Sequence, residues 1–352
     1  MTSPSPAVAT RDSRGWGLVV LALIGIVLVP QVAAIAVPVT RSMLLVLPAL
    51  GALMLAGWVA GGSVTLALAW VVVAVLAVAW PLPDGSFEVV ERGWAVLVAA
   101  AFGIAVLLRV RRSAGGAFLT PALIAIGAAV LVALVLTGLT QGGAEQLARM
   151  LDGEYKDRLV RPIAVWEEYF ASKEWTDAAA KSPAMAEFGT DFLAQLRALP
   201  ALAIAYARVA PAVLALESLA ALALSWAVYH RLSRRPLGDQ LGALRDFRFS
   251  DHLVWGLAAG LILLVLPGLD AGLLVGANLI VFFGALYALR GLGVLAWFFK
   301  PGRAATVLLI LASLLAFPVV VPALLAAALG LGVGDTWLDW RRRARPSPQS
   351  SE

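Results

Sequence analysis

Nine long apolar runs, separated by short polar stretches, set the pattern of this chain. They cover residues 16–39, 43–60, 63–80, 94–108, 118–138, 209–229, 252–267, 272–299 and 304–333. A helix that crosses the roughly 30 Å hydrocarbon core of a bilayer needs about 20 apolar residues, and most of the runs come close to that length. The pattern therefore predicts an all-α fold, a polytopic bundle of about 8–10 transmembrane helices in a lipid bilayer.

The stretch 139–208 breaks this pattern, because its composition is that of a soluble protein. Apolar side chains recur in it at every third or fourth residue, at Leu147, Leu151, Tyr155 and Leu159 and again at Phe188, Phe192, Leu196 and Leu199. This spacing predicts amphipathic helices. We predict a short insert of two or three helices, with Pro162 and Pro183 at positions where helices start.

These two patterns divide the chain into five segments. Residues 1–15 are predicted to be a disordered tail, 16–138 an N-terminal membrane bundle of five spans, and 139–208 the helical insert. Residues 209–340 form the predicted C-terminal membrane bundle, and 341–352 form a second disordered tail.

The positions of Lys and Arg predict the orientation of the bundle, because cytoplasmic loops collect basic residues. With a cytoplasmic N-terminus, Arg109, Arg111, Arg112 and the Arg-rich segment 230–251 fall on the cytoplasmic side. The acidic insert 139–208 then lies outside the cytoplasm. A composition rich in Ala and Arg is typical of GC-rich bacterial genomes. We therefore predict a multi-pass protein of the bacterial cytoplasmic (inner) membrane.

The last apolar run, 304–333, conflicts with this orientation. If it crosses once, the basic sequence RRRAR at 341–345 lies on the outer side, against the rule. Thirty helical residues would extend about 45 Å, more than a bilayer core requires, and Pro318 and Pro322 disfavour a straight helix. The run is thus either one kinked crossing or a broken helix that returns to the cytoplasm. The broken form would place a polar pocket near residues 317–322.

Composition narrows the function classes. Of the 352 residues, 61% are hydrophobic and 14% are charged, against about 25% charged in soluble domains. The sequence pI is about 9.9, but Arg clusters in loops beside apolar runs, which indicates membrane anchoring rather than nucleic-acid binding. The chain has no Cys, two His and no P-loop, zinc motif or nucleophile elbow. We therefore expect neither an enzyme nor a bound metal or cofactor.

Three polar side chains fall well inside predicted spans. An ionisable group there costs about 2.5–3.5 kcal/mol and usually faces the bundle interior. Glu217 is a candidate ligand or proton site. The alternatives are a structural pair with a basic or hydroxyl group, or a helix that slides so that Glu217 reaches the outer interface. Arg290 is a second candidate, with a side chain that snorkels to the cytoplasmic interface as the alternative. Asn278 is the third, with an interhelical hydrogen bond as the alternative.

Two further candidates follow the last apolar run. Asp335 and Asp339 are four residues apart, so they share a face if the segment is helical. Carboxylates with this spacing can hold a cation. The alternative is that they pair with Arg341, Arg342 and Arg343 or favour a helix start.

Three stretches carry a resemblance to a known family. They are ANLIVFFGALYALRGLGVLAWFF at 277–299, LGVGDTWLDWRRR at 331–343 and FRFSDHLVW at 247–255. The chain resembles the YybS-like family, bacterial multi-spanning membrane proteins with a domain of unknown function. The resemblance implies N-terminal spans, an extracytoplasmic helical insert, and a Gly-x-x-Asp step before a basic tail. The family's N-terminal spans loosely resemble the substrate-capturing subunits of energy-coupling-factor vitamin transporters, a likeness of fold alone.

Two functions are left open. The first is a transporter-like or small-ligand-capturing membrane component, which rests on Glu217, the interrupted last run and the family likeness. The alternative is a non-enzymatic scaffold that organises envelope or cell-division partners through the insert and the basic cytoplasmic loop. The expected partners are the lipid bilayer, other membrane proteins and a small-molecule ligand.

Overall fold

A computed structural model describes residues 16–32, 37–80, 86–111, 117–235, 237–266, 270–299 and 317–344. These residues form helices that are joined by short loops and 3-10 turns, and no strand occurs among them. The predicted all-α helix bundle is therefore confirmed.

Thirteen α-helices occur in the described residues. They are α1 (Gly17–Val32), α2 (Met43–Val59), α3 (Val64–Ala79), α4 (Ser86–Arg111), α5 (Leu119–Leu139), α6 (Gly143–Ala171), α7 (Lys173–Lys181), α8 (Pro183–Ala198), α9 (Ala203–Leu232), α10 (Val254–Val265), α11 (Asp270–Phe299), α12 (Phe317–Leu338) and α13 (Trp340–Arg343).

Four helices, α4, α5, α9 and α11, are long and apolar enough to cross a membrane. Five others in the described residues, α1, α2, α3, α10 and α12, are also apolar but shorter. Together they coincide with the apolar runs of the sequence. Helix α10 is short for a crossing, because its 12 residues extend about 18 Å of a core that is roughly 30 Å thick.

Helix α2 packs against α3, α4 and α9. Its Ala and Gly residues alternate with Leu, which lets neighbouring helices approach closely. Gly57 lies against the Tyr229 side chain of α9, and the Ser225 hydroxyl of α9 donates a 2.9 Å hydrogen bond to the Val46 carbonyl. At the end of α2, Gly61 has a φ of 90° and turns the chain into α3, because glycine adopts this left-handed backbone without strain.

The insert consists of α6, α7 and α8, and α6 is longer than predicted. The prediction that Pro162 starts a helix is wrong, because Pro162 lies inside the 29-residue α6. A proline removes one backbone donor, which a helix tolerates where packing compensates for the loss. Here Tyr155 and Leu159 are buried against Ala210 of α9. Pro183 lies in the first turn of α8, where its missing N–H loses no helical partner.

Helices α11 and α12 pack against each other over much of their length. Gly291 lies against the carbonyl of Ala328, and Gly332 lies against the carbonyl of Tyr287. The two contacts lie one helical turn apart on each helix, so the backbones meet around these two glycines. Because neither residue carries a side chain, the two backbones can touch at this point.

Both alternatives for the last apolar run remain predictions. Residues 317–338 form one helix, α12, with Pro322 inside it. Residues 300–316, where a break would begin, lie outside the described residues. The side chains of 317–321, which would line much of the predicted polar pocket, lie outside them as well.

Gly291→Ala should destabilise the protein, because the added methyl group overlaps the Ala328 carbonyl. Overpacking of this kind costs about 1–3 kcal/mol. Gly284→Ala is the matched control in the same helix, since a methyl group there meets no atom within 4 Å and restricts the unfolded chain. Thermal unfolding in detergent should give a lower midpoint for Gly291→Ala and an unchanged or higher one for Gly284→Ala. Equal midpoints would contradict the close packing of α11 on α12.

Candidate functional site

Glu217 lies in the middle of α9 and faces the start of α2. Its Oε2 accepts a 3.2 Å hydrogen bond from the backbone N–H of Val39, and its Oε1 accepts one of 3.3 Å from the Ser42 hydroxyl. Val39 and Ser42 are both buried. The carboxylate is thus held inside the protein by at least two donors that carry no charge.

Arg158 connects the insert to the same place. It lies on α6, and its guanidinium donates hydrogen bonds of 2.7 Å and 2.9 Å to the carbonyls of Val37 and Pro38. The same guanidinium lies 3.6 Å from Oε1 of Glu91 on α4 and 2.7 Å from Oε1 of Glu154 on its own helix. One side chain of the insert therefore joins α4, α6 and the segment that leads into α2.

Tyr155 of α6 lies three residues before Arg158, and it is 1% exposed. Its hydroxyl has no hydrogen-bond partner among the described residues. Burial raises the pKa of Tyr155 to about 12, so the hydroxyl stays protonated at neutral pH. We define Glu91, Tyr155, Arg158 and Glu217 as the insert-facing cluster. It contains an unused hydrogen-bond donor, and a buried hydroxyl without a partner costs about 1–3 kcal/mol.

The charges around the insert-facing cluster do not balance. The neighbouring pair of Glu88 and Arg92 adds no net charge. Three acids and two bases then act on one another, and together they leave one negative charge in excess when all are ionised. These groups are Glu91, Glu154 and Glu217 against Arg41 and Arg158. A proton or a singly charged cation would restore neutrality.

Asn278 of α11 is hydrogen-bonded to the backbone of α9. Its Oδ1 accepts a 2.8 Å hydrogen bond from the N–H of Ala212, and its Nδ2 donates one of 2.7 Å to the carbonyl of Arg208. These two groups are four residues apart and would pair with each other in a regular helix. Pro211 lies between them. Asn278 therefore fixes α11 to one turn of α9, and this interhelical bond is the role that its contacts support.

Arg290 is buried, so the alternative of a snorkelling side chain is wrong. Its guanidinium is held by two acids, because Nε lies 3.0 Å from Oδ2 of Asp335 and NH1 lies 2.8 Å from Oδ1 of Asp251. Arg341 donates a 2.7 Å hydrogen bond to the same Oδ2 of Asp335. We define Asp251, Arg290, Asp335 and Arg341 as the C-terminal cluster. These charge-paired contacts favour a structural role, and they leave Oδ1 of Asp335 and Nε of Arg341 without a hydrogen-bond partner among the described residues.

Asp335 and Asp339 do not share a helix face. Helix α12 ends at Leu338, and Asp339 has a φ of 39°, in the left-handed region. Asp339 accepts a 2.8 Å hydrogen bond from Arg248, whereas Asp335 belongs to the C-terminal cluster. The condition for a shared cation site is therefore not met. Across the described part of the chain, no group of three or more His, Asp or Glu side chains is arranged to hold a metal ion.

The basic end of the chain lies beside the Arg-rich segment. Arg341 donates hydrogen bonds of 3.0 Å and 3.1 Å to the carbonyls of Arg245 and Phe247. The orientation rule placed segment 230–251 in the cytoplasm, so this contact brings the basic tail to the same part of the bundle. The contact places Arg341 beside segment 230–251, and the side of the membrane on which both lie stays a prediction.

Sequence reasoning missed the partners of the two ionisable candidates. Glu91 lies in the polar stretch between the apolar runs 63–80 and 94–108, but α4 begins at Ser86 and so includes it. Tyr155 was treated as one member of an apolar stripe. Arg158 is three residues after Tyr155, so both lie on one helix face. A charged residue on the apolar face of an amphipathic helix is the sequence signal that could have indicated this buried contact.

Residues 177–336 match a family described as "Predicted membrane protein (DUF2232)". No curated protein and no solved structure matches the chain. Over the matched stretch, the chain is similar to a family of membrane proteins. The match includes Glu217, Asn278, Arg290 and Asp335 but not the α6 residues of the insert-facing cluster. The match does not confirm the resemblance to the YybS-like family or to the energy-coupling-factor subunits, so both resemblances stay predictions.

Asp335→Asn should strongly destabilise the protein. It leaves the buried guanidinium of Arg341 without its carboxylate and leaves Arg290 with Asp251 alone, and breaking a buried ion pair costs about 3–5 kcal/mol. Asp339→Asn is the control, because it removes the same charge from a partly exposed pair, which is worth at most about 1 kcal/mol. Thermal unfolding in detergent measures both. A similar, small loss in the two variants would contradict the structural role of the C-terminal cluster.

Proposed function

We propose that this membrane protein captures a small, positively charged ligand at the insert-facing cluster, as a transporter-like component of the bacterial inner membrane. The ligand class is a protonated amine or a monovalent cation. The observation that carries the proposal is the buried hydroxyl of Tyr155, which has no hydrogen-bond partner among the described residues. Arg158, three residues further along the same helix, contacts Val37 and Pro38, next to the Val39 N–H that binds Glu217. Binding sites bring together a few convergent polar groups in an apolar surrounding, and this arrangement meets that description.

The position of the cluster supports access from one side. Its groups come from α4, α6 and α9, and the start of α2 closes it through Val39 and Ser42. Helix α6 covers the cluster and is held there by the contacts of Arg158 with Val37 and Pro38. A small movement of α6 would expose Glu217 without changing the packing of α2 on α9. The proposed role is binding and release, with no chemical step.

The chemistry of the cluster selects the ligand. One negative charge in excess favours a cation, and the protonated Tyr155 hydroxyl offers a donor to a lone pair of the same ligand. A monovalent cation would use the carboxylate oxygens alone. A protonated amine with a neighbouring hydroxyl or carbonyl oxygen would use both Glu217 and Tyr155, and this makes the amine the better fit.

Glu217→Gln should abolish retention of the ligand, because it removes the buried negative charge while keeping the shape of the side chain. Tyr155→Phe should weaken retention without lowering stability, because its hydroxyl has no hydrogen-bond partner to lose among the described residues. Native mass spectrometry of protein extracted with its own lipids measures the retained small molecules. Glu187→Gln is the control, since it removes an acid from the exposed surface of the insert.

Retention that persists in Glu217→Gln would overturn the assignment of the site. If the small molecule is lost in Glu217→Gln but retained in Tyr155→Phe, the ligand contacts the carboxylate alone. The site would then bind a simple cation, and the role proposed for Tyr155 would be wrong. Wild-type protein that carries no small molecule at a fixed ratio would overturn capture itself.

A second candidate, the scaffold that organises envelope or cell-division partners, is favoured by the surface of the insert. Aromatic rings contact one another there in a continuous network, formed by Trp166, Tyr169, Phe170, Trp175, Phe188 and Phe192. The side chains of Tyr169 and Phe188 are 49% and 58% exposed. A large exposed aromatic surface of this kind is typical of a contact with another protein.

Phe188→Ser tests the scaffold while leaving the insert-facing cluster intact. It should remove membrane proteins that co-purify with the wild type, because an exposed aromatic anchor is lost, and should leave small-molecule retention unchanged. A deletion of 141–200 is less informative, because it also removes Tyr155 and Arg158. Partners that stay bound to Phe188→Ser, as they should to Glu187→Gln, would argue against this surface as the docking site.

A further inference from the structure

We propose that the cleft between the Arg-rich segment, the end of α11 and the C-terminal helix α13 binds the phosphate headgroup of an anionic phospholipid. The cleft has a volume of about 260 Å³ and is lined by Arg245, Asp246, Arg248, Trp297 and Arg341. It lies far from the insert-facing cluster along the chain and shares no residue with it. Its proposed ligand is an anion, whereas the ligand proposed for the insert-facing cluster is a cation.

The cleft is a built feature of the fold. The 3-10 turn Leu244–Asp246 lies directly on α11, because Gly293 has no side chain and the carbonyl of Leu244 occupies that space. Arg341 then fixes the other side of the segment by donating to the carbonyls of Arg245 and Phe247. These contacts hold the turn beside Trp297, one helical turn beyond Gly293.

Guanidinium groups supply the recognition chemistry. Arg245 and Arg248 are well exposed, whereas Arg341 is 2% exposed, and its Nε has no hydrogen-bond partner among the described residues. Guanidinium groups match the geometry of phosphate oxygens and bind them with two parallel hydrogen bonds. The cleft thus contains two accessible cations and a buried guanidinium with one donor that no described residue uses.

Acids reduce the positive charge of the cleft without cancelling it. Asp246 lies 3.5 Å from Arg245, Asp339 lies 2.8 Å from Arg248, and Asp335 lies 2.7 Å from Arg341. Arg342 and Arg343 follow Arg341 directly and are exposed. The surface around the cleft therefore keeps a positive excess, which attracts an anion.

The apolar surroundings favour a lipid over a soluble phosphate. Next to Trp297, the side chains of Phe298 and Phe299 at the end of α11 are 49% and 76% exposed. Trp337 of α12 is also exposed. Aromatic side chains collect where a protein meets the membrane interface, and basic pockets between spans on the cytoplasmic side bind anionic headgroups. A phospholipid can place its phosphate in the cleft and its acyl chains along the two phenylalanines.

Native mass spectrometry of the protein in detergent micelles that contain equal amounts of phosphatidylglycerol and phosphatidylcholine tests the proposal. Wild-type protein should retain phosphatidylglycerol preferentially. Arg245→Gln and Arg248→Gln should each lower that retention by about fivefold, the contribution of one basic residue near an anionic surface. Asp246→Asn should raise retention, because it removes the acid that competes for Arg245. Arg111→Gln is the matched control, since it removes an exposed arginine at the end of α4, away from the cleft.

Three results would overturn the proposal. An equal loss in Arg111→Gln would show that retention follows overall charge rather than the cleft. A wild type that does not distinguish the two lipids would show that no headgroup is recognised. Displacement of phosphatidylglycerol by inorganic phosphate would assign the cleft to a soluble anion. All of these variants change exposed side chains, so a loss of folding does not obscure the outcome.

Discussion

A polar group in the interior of a membrane bundle must find its partner within the protein, and both parts of this structure depend on that constraint. Glu217 is satisfied by Val39 and Ser42, which precede it by more than 170 residues in the chain. Arg290 is satisfied by acids from two other segments. Apolar helices gain little from one register over another in lipid, which is as apolar as they are. The buried polar contacts therefore decide which helices meet and at what height.

The same constraint explains why the insert is attached to the bundle rather than merely tethered to it. Tyr155 and Leu159 bury an apolar stripe against α9, and Arg158 satisfies carbonyls of the segment before α2. That segment contains Pro38, and a proline interrupts the regular helical hydrogen-bonding pattern. The guanidinium supplies donors to carbonyls that have no helical partner. Under the proposed function, an insert that closes the bundle in this way would control access to Glu217.

The sequence predicted the parts of the structure that depend on local pattern. Apolar runs located the helices, and the cost of burial singled out Glu217 and Arg290. It did not predict what depends on long-range contact. Nothing near Arg290 indicates Asp335, which lies 45 residues away in the chain. Asp339 was grouped with Asp335 by spacing, but the helix ends between them. Pro162 was read as a helix start because its packing against the rest of the protein cannot be seen locally.

The insert-facing cluster and the cleft around Arg245 differ in charge, and this difference follows the predicted orientation. The insert-facing cluster has an excess of acid, whereas the region around Arg245 and Arg341 has an excess of base. Basic residues are retained on the cytoplasmic side during insertion, but acidic residues have little influence on it. Orientation alone therefore accounts for the basic excess. The argument for a ligand in the cleft needs a further observation, which is that the Nε of Arg341 has no hydrogen-bond partner among the described residues. The acidic excess has no such general cause. A buried carboxylate that orientation does not require is the stronger sign of function, and we therefore rank Glu217 ahead of the arginines as a candidate site.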